Sequence, residues 1–263
     1  MSREHQRLIA LLTDFGTRDW YVAAMKAVIL SRCPSARLID ITHEVPPQDI
    51  IAGAFTISAA APWFPRGTIF VAVVDPDVGS HRALLAARAD GCYFLGPDNG
   101  LLALSLERAR QLTIVRLKRH RSWLRDLSHT FHARDILAPV AAYLACGGSF
   151  TQLGVAMTRL APLPLPRVQR DGRRLIGHIV HVDRFGNLIT NLPGEVFTPR
   201  VGAHAILRYK GRRVRMVSSY AAGRPHELIA IVGSLRLVEL AVKGGSAALA
   251  FNARRGECVT LVS

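Results

Sequence analysis

Two different hydrophobic rhythms divide this sequence. In the first part LIALLTD, ARLIDIT, GTIFVAVVD, ALLAARA, CYFLGP and QLTIVRLK read as strands. Between and after them, DWYVAAMKAVILSRC, QDIIAGAFTISAAAPWF and ARDILAPVAAYLACG carry apolar faces at helical spacing. Strands alternating with helices predict a mostly parallel sheet covered on both faces, an α/β class domain. Pro139 inside the last of these helices predicts a bend or a local interruption. The stretch MTRLAPLPLPRVQRDGRR, around residues 158–174, is rich in Pro and Arg and has little periodicity. Beyond it LIGHIVHVD, NLITNL, HAILRYKGRRVRMV, LIAIVGS, LRLVELAV and CVTLVS are short strands between Gly and polar turns. They predict a smaller C-terminal all-β domain. The expected layout is an α/β domain over residues 1–160, a linker over 161–171 and a β domain over 172–263.

A chain of 263 residues, 49% hydrophobic and 20% charged, is ordinary for a soluble globular enzyme and long enough for a proper core. Cys33, Cys92, Cys146 and Cys258 are scattered without a metal-ligand spacing, which predicts reduced, mostly buried thiols. The start MSREHQRLIALL lacks the features of a signal peptide, and AFTISAAAPWF is short and broken by Pro62. A cytoplasmic protein with no membrane partner is therefore expected. The formal charge of +15 comes almost entirely from Arg, since Lys stands only at 26, 118, 210 and 243. Its densest cluster, Arg116 to Asp126, holds Trp123, but no nucleic-acid-binding motif accompanies it. Charge alone speaks to nonspecific attraction, so the arginines read as solvated surface and nucleic acid is not an expected partner.

Ligands of open parallel sheets bind beyond the carboxyl ends of the strands. Asp14, His43, Asp75 and the pair Asp98–Asn99 all fall at such ends. Any one of them alone reads as a cap or turn former. Four together, each next to a Gly, a Pro or a helix start, point to a common pocket. No Gly-rich phosphate loop is present, which disfavours dinucleotide and triphosphate ligands, and no carboxylate–histidine spacing suggests a metal site. In GTIFVAVVDPDVGSHRALL a buried strand delivers Asp75 into a turn, with His81 and Arg82 close behind. In SHTFHARD, His129, His132, Arg134 and Asp135 stand at a helix entrance, where Asp135 reads as a first-turn charge with Arg134 as its surface partner. VDRFGNLITN places Asp183, Phe185, Asn187 and Asn191 around a hairpin with a Gly-Asn corner.

Seven segments carry a resemblance when taken in order: LLTDFGTRDWYVAAMKAVI, IDITHEVPPQDI, VVDPDVGSHR, FLGPDNGLL, TFHARDILAPVAAYLA, VDRFGNLITN and GSLRLVELAVKGGSAA. Together they resemble the S-adenosylmethionine (SAM) hydroxide adenosyltransferases, also called SAM hydrolases, which are related to fluorinase and chlorinase. The resemblance implies a homotrimer whose active sites lie between subunits. It also implies displacement by water or hydroxide at the ribose C5′ of SAM, giving adenosine and L-methionine with no further cofactor. Asp75, Arg82 and His132 match the family's water-activating trio. The halide-using relatives lack the Asp and the His, so hydrolysis is the expected branch over a halide transferase or a noncatalytic SAM-binding module.

The resemblance further assigns Asp14 to the ribose hydroxyls, Asn187 to the adenine edge, and Asp183 and Ser234 to the methionine amine and carboxylate. Phe131 and Phe185 stack on the adenosine or belong to the core, and Asp98 and Asn99 shape the pocket wall. Three positions depart from the family pattern. Asp77 and Ala133 stand where it has Gly, and Lys243 where it has Asn. Asp77 either adds negative charge near the water or points to solvent; Ala133 crowds His132; Lys243 belongs at the adenine end.

Overall fold

The computed structural model describes residues 7–107, 109–197 and 205–262; the charged start at 1–6, His204 and Ser263 lie outside them. The chain divides into two units, Met1–Pro164 and Leu165–Ser263.

The first unit runs β1 (Leu8–Thr13), α1 (Tyr21–Arg32), β2 (Arg37–Thr42), α2 (Ile50–Ala60), β3 (Ile69–Val73), β4 (Leu84–Ala89), β5 (Cys92–Pro97), α3 (Ala103–Glu107), β6 (Leu112–Leu117), α4 (Ala138–Ala145) and β7 (Gly154–Met157). Its strands form one sheet in the order β2-β1-β3-β5-β4-β6-β7. The half built from β2, β1, β3 and β5 is parallel. The half added by β4, β6 and β7 is antiparallel. Its direction is set by a two-residue turn: Asp90 and Gly91, at φ 48° and 87°, join β4 to β5. Both residues take the left-handed conformation that suits a tight hairpin, and two residues are far too few for a parallel crossover.

Period-two alternation sends β1 to both faces of the sheet. Ile9 and Leu11 pack with Met25 and Ile29 of α1 and with Val140, Ala141 and Leu144 of α4. Ala10 and Leu12 pack with Ala52, Ala54 and Ile57 of α2. Asp49 caps α2 by accepting a hydrogen bond from the Ala52 amide at 3.0 Å. The expected interruption near Pro139 is present. Residues Ala133–Leu137 wind as a π-turn, and α4 follows with Pro139 in its first turn; the carbonyl four residues earlier, that of Asp135, accepts from Leu124 N–H instead.

The second unit contains β8 (Gln169–Asp171), β9 (Arg174–Val182), β10 (Leu188–Pro193), β11 (Ile206–Tyr209), β12 (Arg212–Met216), β13 (Leu228–Val232), β14 (Leu237–Val242) and β15 (Cys258–Val262). Their order is β10-β14-β13-β12-β11-β15-β9-β8, and an additional β9–β10 pairing closes the sheet into a barrel. Among the described strands of this unit, only the β12–β13 pair is parallel. Ile179, Leu188, Leu207, Tyr209, Val214, Leu240 and Leu261 fill the interior. The fold class is thus the expected α/β unit followed by an all-β unit.

The cysteines depart from expectation. Cys33 is buried and Cys92 half-buried, whereas Cys146 and Cys258 are exposed, the last opening β15. Among the described residues no helix is long and apolar enough to cross a membrane.

Candidate active site

The carboxyl ends of β1, β2, β3 and β5 lie along one edge of the first sheet, because these four strands run parallel. The chain leaves β1 at Asp14, β2 at His43, β3 at Asp75 and β5 at Asp98. His43, Asp98 and the neighbouring Asn99 have structural duties. His43, buried, shares a 2.9 Å hydrogen bond between its Nδ1 and the Thr13 hydroxyl, and its carbonyl accepts from Gly16 N–H at 2.7 Å. Asp98 accepts from the Ala161 amide at 2.8 Å. The Asn99 amide donates to the Val74 carbonyl at 2.8 Å, fixing the chain where it turns into Asp75.

Asp14 is half-buried, and its Oδ2 accepts the Gln48 N–H at 2.8 Å. Burial pushes its carboxyl above the ordinary value; backbone hydrogen bonds pull the other way, and the charge of Asp75 adds to the upward push.

Asp75 and Arg82 form a two-pronged ion pair. Arg82 Nε donates to Asp75 Oδ1 at 2.5 Å, and Nη2 donates to Oδ2. Their side chains are 9% and 6% exposed for Arg82 and Asp75 respectively, so the pair is shielded from water. Fork-to-fork geometry of this kind locks both planes. Arg82 Nη2 also lies 3.3 Å from Nδ1 of His132. The guanidinium thus joins all three members of the trio, from segments 50 residues apart in sequence. Burial pushes the His132 imidazole below its ordinary pKa, and Arg82 pushes the same way; Asp75 and Asp135 oppose them. The neutral imidazole is the favoured form.

The segment entering α4 shapes this corner. Phe131 is buried, with edge-to-face contacts to Trp20 and Tyr21 at 5.5 and 5.2 Å and to Phe15 at 5.9 Å. Of its two expected readings, the structure displays the core one. Asp135 is the expected first-turn charge paired with Arg134, but it is fully buried. Ser128 N–H donates to its Oδ2 at 2.7 Å, and Arg134 Nε to its Oδ1 at 2.6 Å. Of the departures, Asp77 is exposed, whereas Ala133 is 3% exposed within the hydrophobic core of the first unit.

In the second unit the β9–β10 hairpin is closed by Asp183 to Asn187. Asp183 organises this loop: its Oδ1 accepts from Phe185 N–H at 2.9 Å and Asn187 N–H at 2.8 Å, and its Oδ2 from the Asn187 side chain at 3.0 Å. This holds Asn187 in a buried position and projects Phe185, 76% exposed, from the tip. Gly186 takes φ 80°, and a Cβ there would collide with the Ser246 hydroxyl, so only Gly serves. Ser234 lies exposed in the β13–β14 turn. Lys243 Nζ donates to the carbonyls of Ala221 and Gly223 at 2.9 and 2.8 Å, and so ties down a neighbouring turn.

Two residues went unnoticed in the sequence. Glu239, 7% exposed, accepts a hydrogen bond from the Tyr220 hydroxyl. Burial pushes its carboxyl up, with Asp183 adding to the effect against the Tyr220 bond. Its signal was an acid inside the apolar strand LVELAV, a position where charge is rare without a partner.

Comparison with known proteins follows the same division into two units. Residues 9–154 match the SAM hydroxide adenosyltransferase N-terminal domain, and residues 177–260 match the corresponding C-terminal domain. The chain belongs to this family. It is 39% identical to an (R)-S-adenosyl-L-methionine hydrolase of Salinispora tropica, covering 91% of this chain and 92% of that one. It is 36% identical to a Thermus thermophilus protein of the same name, over 97% and 100% of the two chains. A fluorinase of Actinoplanes sp. is more distant, at 28% identity over 70% and 71%. Among solved structures, an uncharacterized conserved protein of Thermotoga maritima superimposes with a TM-score of 0.90 at 30% identity, covering 97% of this chain and 100% of that one.

Proposed function

We propose that this family member hydrolyses SAM to adenosine and L-methionine, with Asp75, Arg82 and His132 holding the attacking water. The observation that carries the reading is the single guanidinium that grips Asp75 and reaches His132. Displacement from a sulfonium needs no general acid, because the leaving group is a neutral thioether. The demand falls on the nucleophile, since free water is a poor one at neutral pH.

Arg82 can only donate, so its contact makes Nδ1 of neutral His132 the acceptor and leaves the ring N–H on Nε2. In that form the imidazole orients the water. Each Asp75 oxygen keeps a lone pair beyond its bond to Arg82, and the carboxylate accepts a hydrogen from the same water. Attack forms the O–C5′ bond and passes the proton to the carboxylate. The C5′–S electron pair leaves on sulfur as methionine. Alignment of water against C5′ supplies most of the acceleration.

Asp14 holds the ribose hydroxyls, and the second unit supplies Phe185 and Asn187 for the adenosine and Asp183 and Ser234 for the methionine end. We read the assembly as a cytoplasmic homotrimer with each site shared by two subunits, and SAM as substrate with no additional cofactor. The test is chromatography of purified protein with SAM, with and without chloride. Adenosine and methionine should appear in both, at a rate that Asp75→Ala loses. A 5′-chlorinated nucleoside formed only with chloride would establish a halide transferase instead, and SAM recovered bound without product would establish a binding module.

A further inference from the structure

We infer that Asp135 is a positioning residue of the trio: its buried carboxylate fixes the 128–132 segment and thereby seats His132 against Arg82. The inference rests on the proposed role of His132, but its geometry stands independently. Asp135 is 0% exposed, and its side-chain hydrogen bonds run to Ser128 and Arg134 rather than to Asp75 or Arg82. These bonds hold the chain around His132. Ser128 N–H and both reachable Arg134 donors meet the carboxylate, at 2.7, 2.6 and 3.1 Å. Its carbonyl accepts from Leu124 N–H at 3.0 Å, and its own N–H donates to the Phe131 carbonyl at 3.1 Å. Asp135 thus ties four points of residues 124–134, Leu124, Ser128, Phe131 and Arg134, to one buried residue.

The segment so held presses on the other half of the trio. The His129 carbonyl lies against Gly79, inside the turn that carries Asp75 to Arg82; a Cβ on Gly79 would meet that oxygen at 2.5 Å. Arg134, gripped by Asp135, also covers the Phe131 ring at 5.0 Å. A buried charge without a partner is costly, and here the partner is supplied by the next residue, which keeps the whole motif one rigid unit. The groups that act electrostatically on His132 are Arg82, Asp75, Asp135 and His129. Asp135 and Asp75 are the two that favour the imidazolium, against Arg82 and His129.

The experiment compares Asp135→Asn and Arg134→Met, reading His132 by NMR titration and the pH profile of kcat/KM. Asp135→Asn keeps an oxygen for Ser128 N–H and removes the charge. Its His132 titration should move to lower pH, by roughly half a unit or more for a charge at this range, and kcat should fall at least tenfold with KM within about threefold. Arg134→Met keeps the apolar stem over Phe131 and leaves the Asp135 charge without its cation; the less neutralised Asp135 should then move the His132 titration to higher pH. In a His132→Ala background, Asp135→Asn should have no further effect on the residual rate. Opposite shifts are not produced by mere loss of stability. Unmoved His132 titrations in both variants, or an undiminished loss in the His132→Ala background, overturn the inference. A wild-type protein that forms no adenosine refutes the proposed hydrolysis, while the NMR titrations still decide the role of Asp135. If Asp135→Asn does not fold, the Arg134→Met titration decides alone.

Discussion

Gly79 and His129 meet backbone to backbone, with the His129 carbonyl oxygen where a side chain on Gly79 would begin. Gly79 also holds φ at 86°, a conformation costly to residues with a Cβ. The contact joins the Asp75–Arg82 turn to the segment bearing His132. Gly79→Ala should therefore separate the two halves of the trio. The expected result is a loss of about 1–3 kcal/mol in stability by denaturant unfolding, with turnover falling further than stability accounts for. Full turnover in the variant would mean that this contact does not position His132.

Breaking the ion pair should affect chemistry more than binding. Asp75→Asn should abolish adenosine formation while SAM affinity, measured by calorimetry, stays within about tenfold, roughly 1.4 kcal/mol. Asp75→Ala leaves Arg82 buried without its partner and should in addition destabilise the protein by about 3–5 kcal/mol, visible as a lowered thermal midpoint.

His132 sets the acid side of the pH dependence. Its imidazole is held below the ordinary value by burial and then by Arg82. Protonation at Nδ1 would point a hydrogen at the guanidinium, so the neutral ring is the active form. The sign follows: activity is retained on the alkaline side and lost as pH falls through the depressed pKa. The acid limb of kcat/KM should lie below the pH 6.5 of an unperturbed histidine, and His132→Asn should abolish that limb. A limb above 6.5 would contradict the assignment.

Asp14 is expected to act on binding. Asp14→Asn keeps a side chain that can accept the Gln48 N–H and removes one acceptor for a diol. KM for SAM should rise about tenfold, with kcat changed less than threefold, as for a group that binds ground and transition states equally. Unchanged affinity would remove the ribose assignment.

The second unit offers a stability test. Tyr220→Phe leaves the buried Glu239 carboxylate without its hydroxyl donor. The loss should be about 1–3 kcal/mol by urea unfolding. The double variant Tyr220→Phe with Glu239→Leu should recover part of it, because both partners are then apolar.

Much of this protein was legible in the residue order. Central strands such as IFVAV are buried on both faces and read as continuous apolar runs; α1, α2 and the region of α4 carried their own periodicity, and Pro139 marked the break in the last. The barrel strands were marked by Gly and polar turns. The trio, too, was visible through ordered motifs. What sequence spacing could not convey was burial and through-space pairing. Asp135 beside Arg134 looks like a surface pair, since adjacent residues give no hint that a loop will fold over one of them. Phe131 admitted two readings until Phe15, Trp20 and Tyr21 closed around it. Cys146 and Cys258 count as apolar residues in composition, yet lie exposed. The hairpin that begins the antiparallel half of the first sheet turns on Asp90 and Gly91. Local periodicity is written in neighbouring residues and so survives in the sequence; the reach of Arg82 across 50 residues to His132 depends on two turns meeting at the ends of strands, and only the packed sheet brings them together.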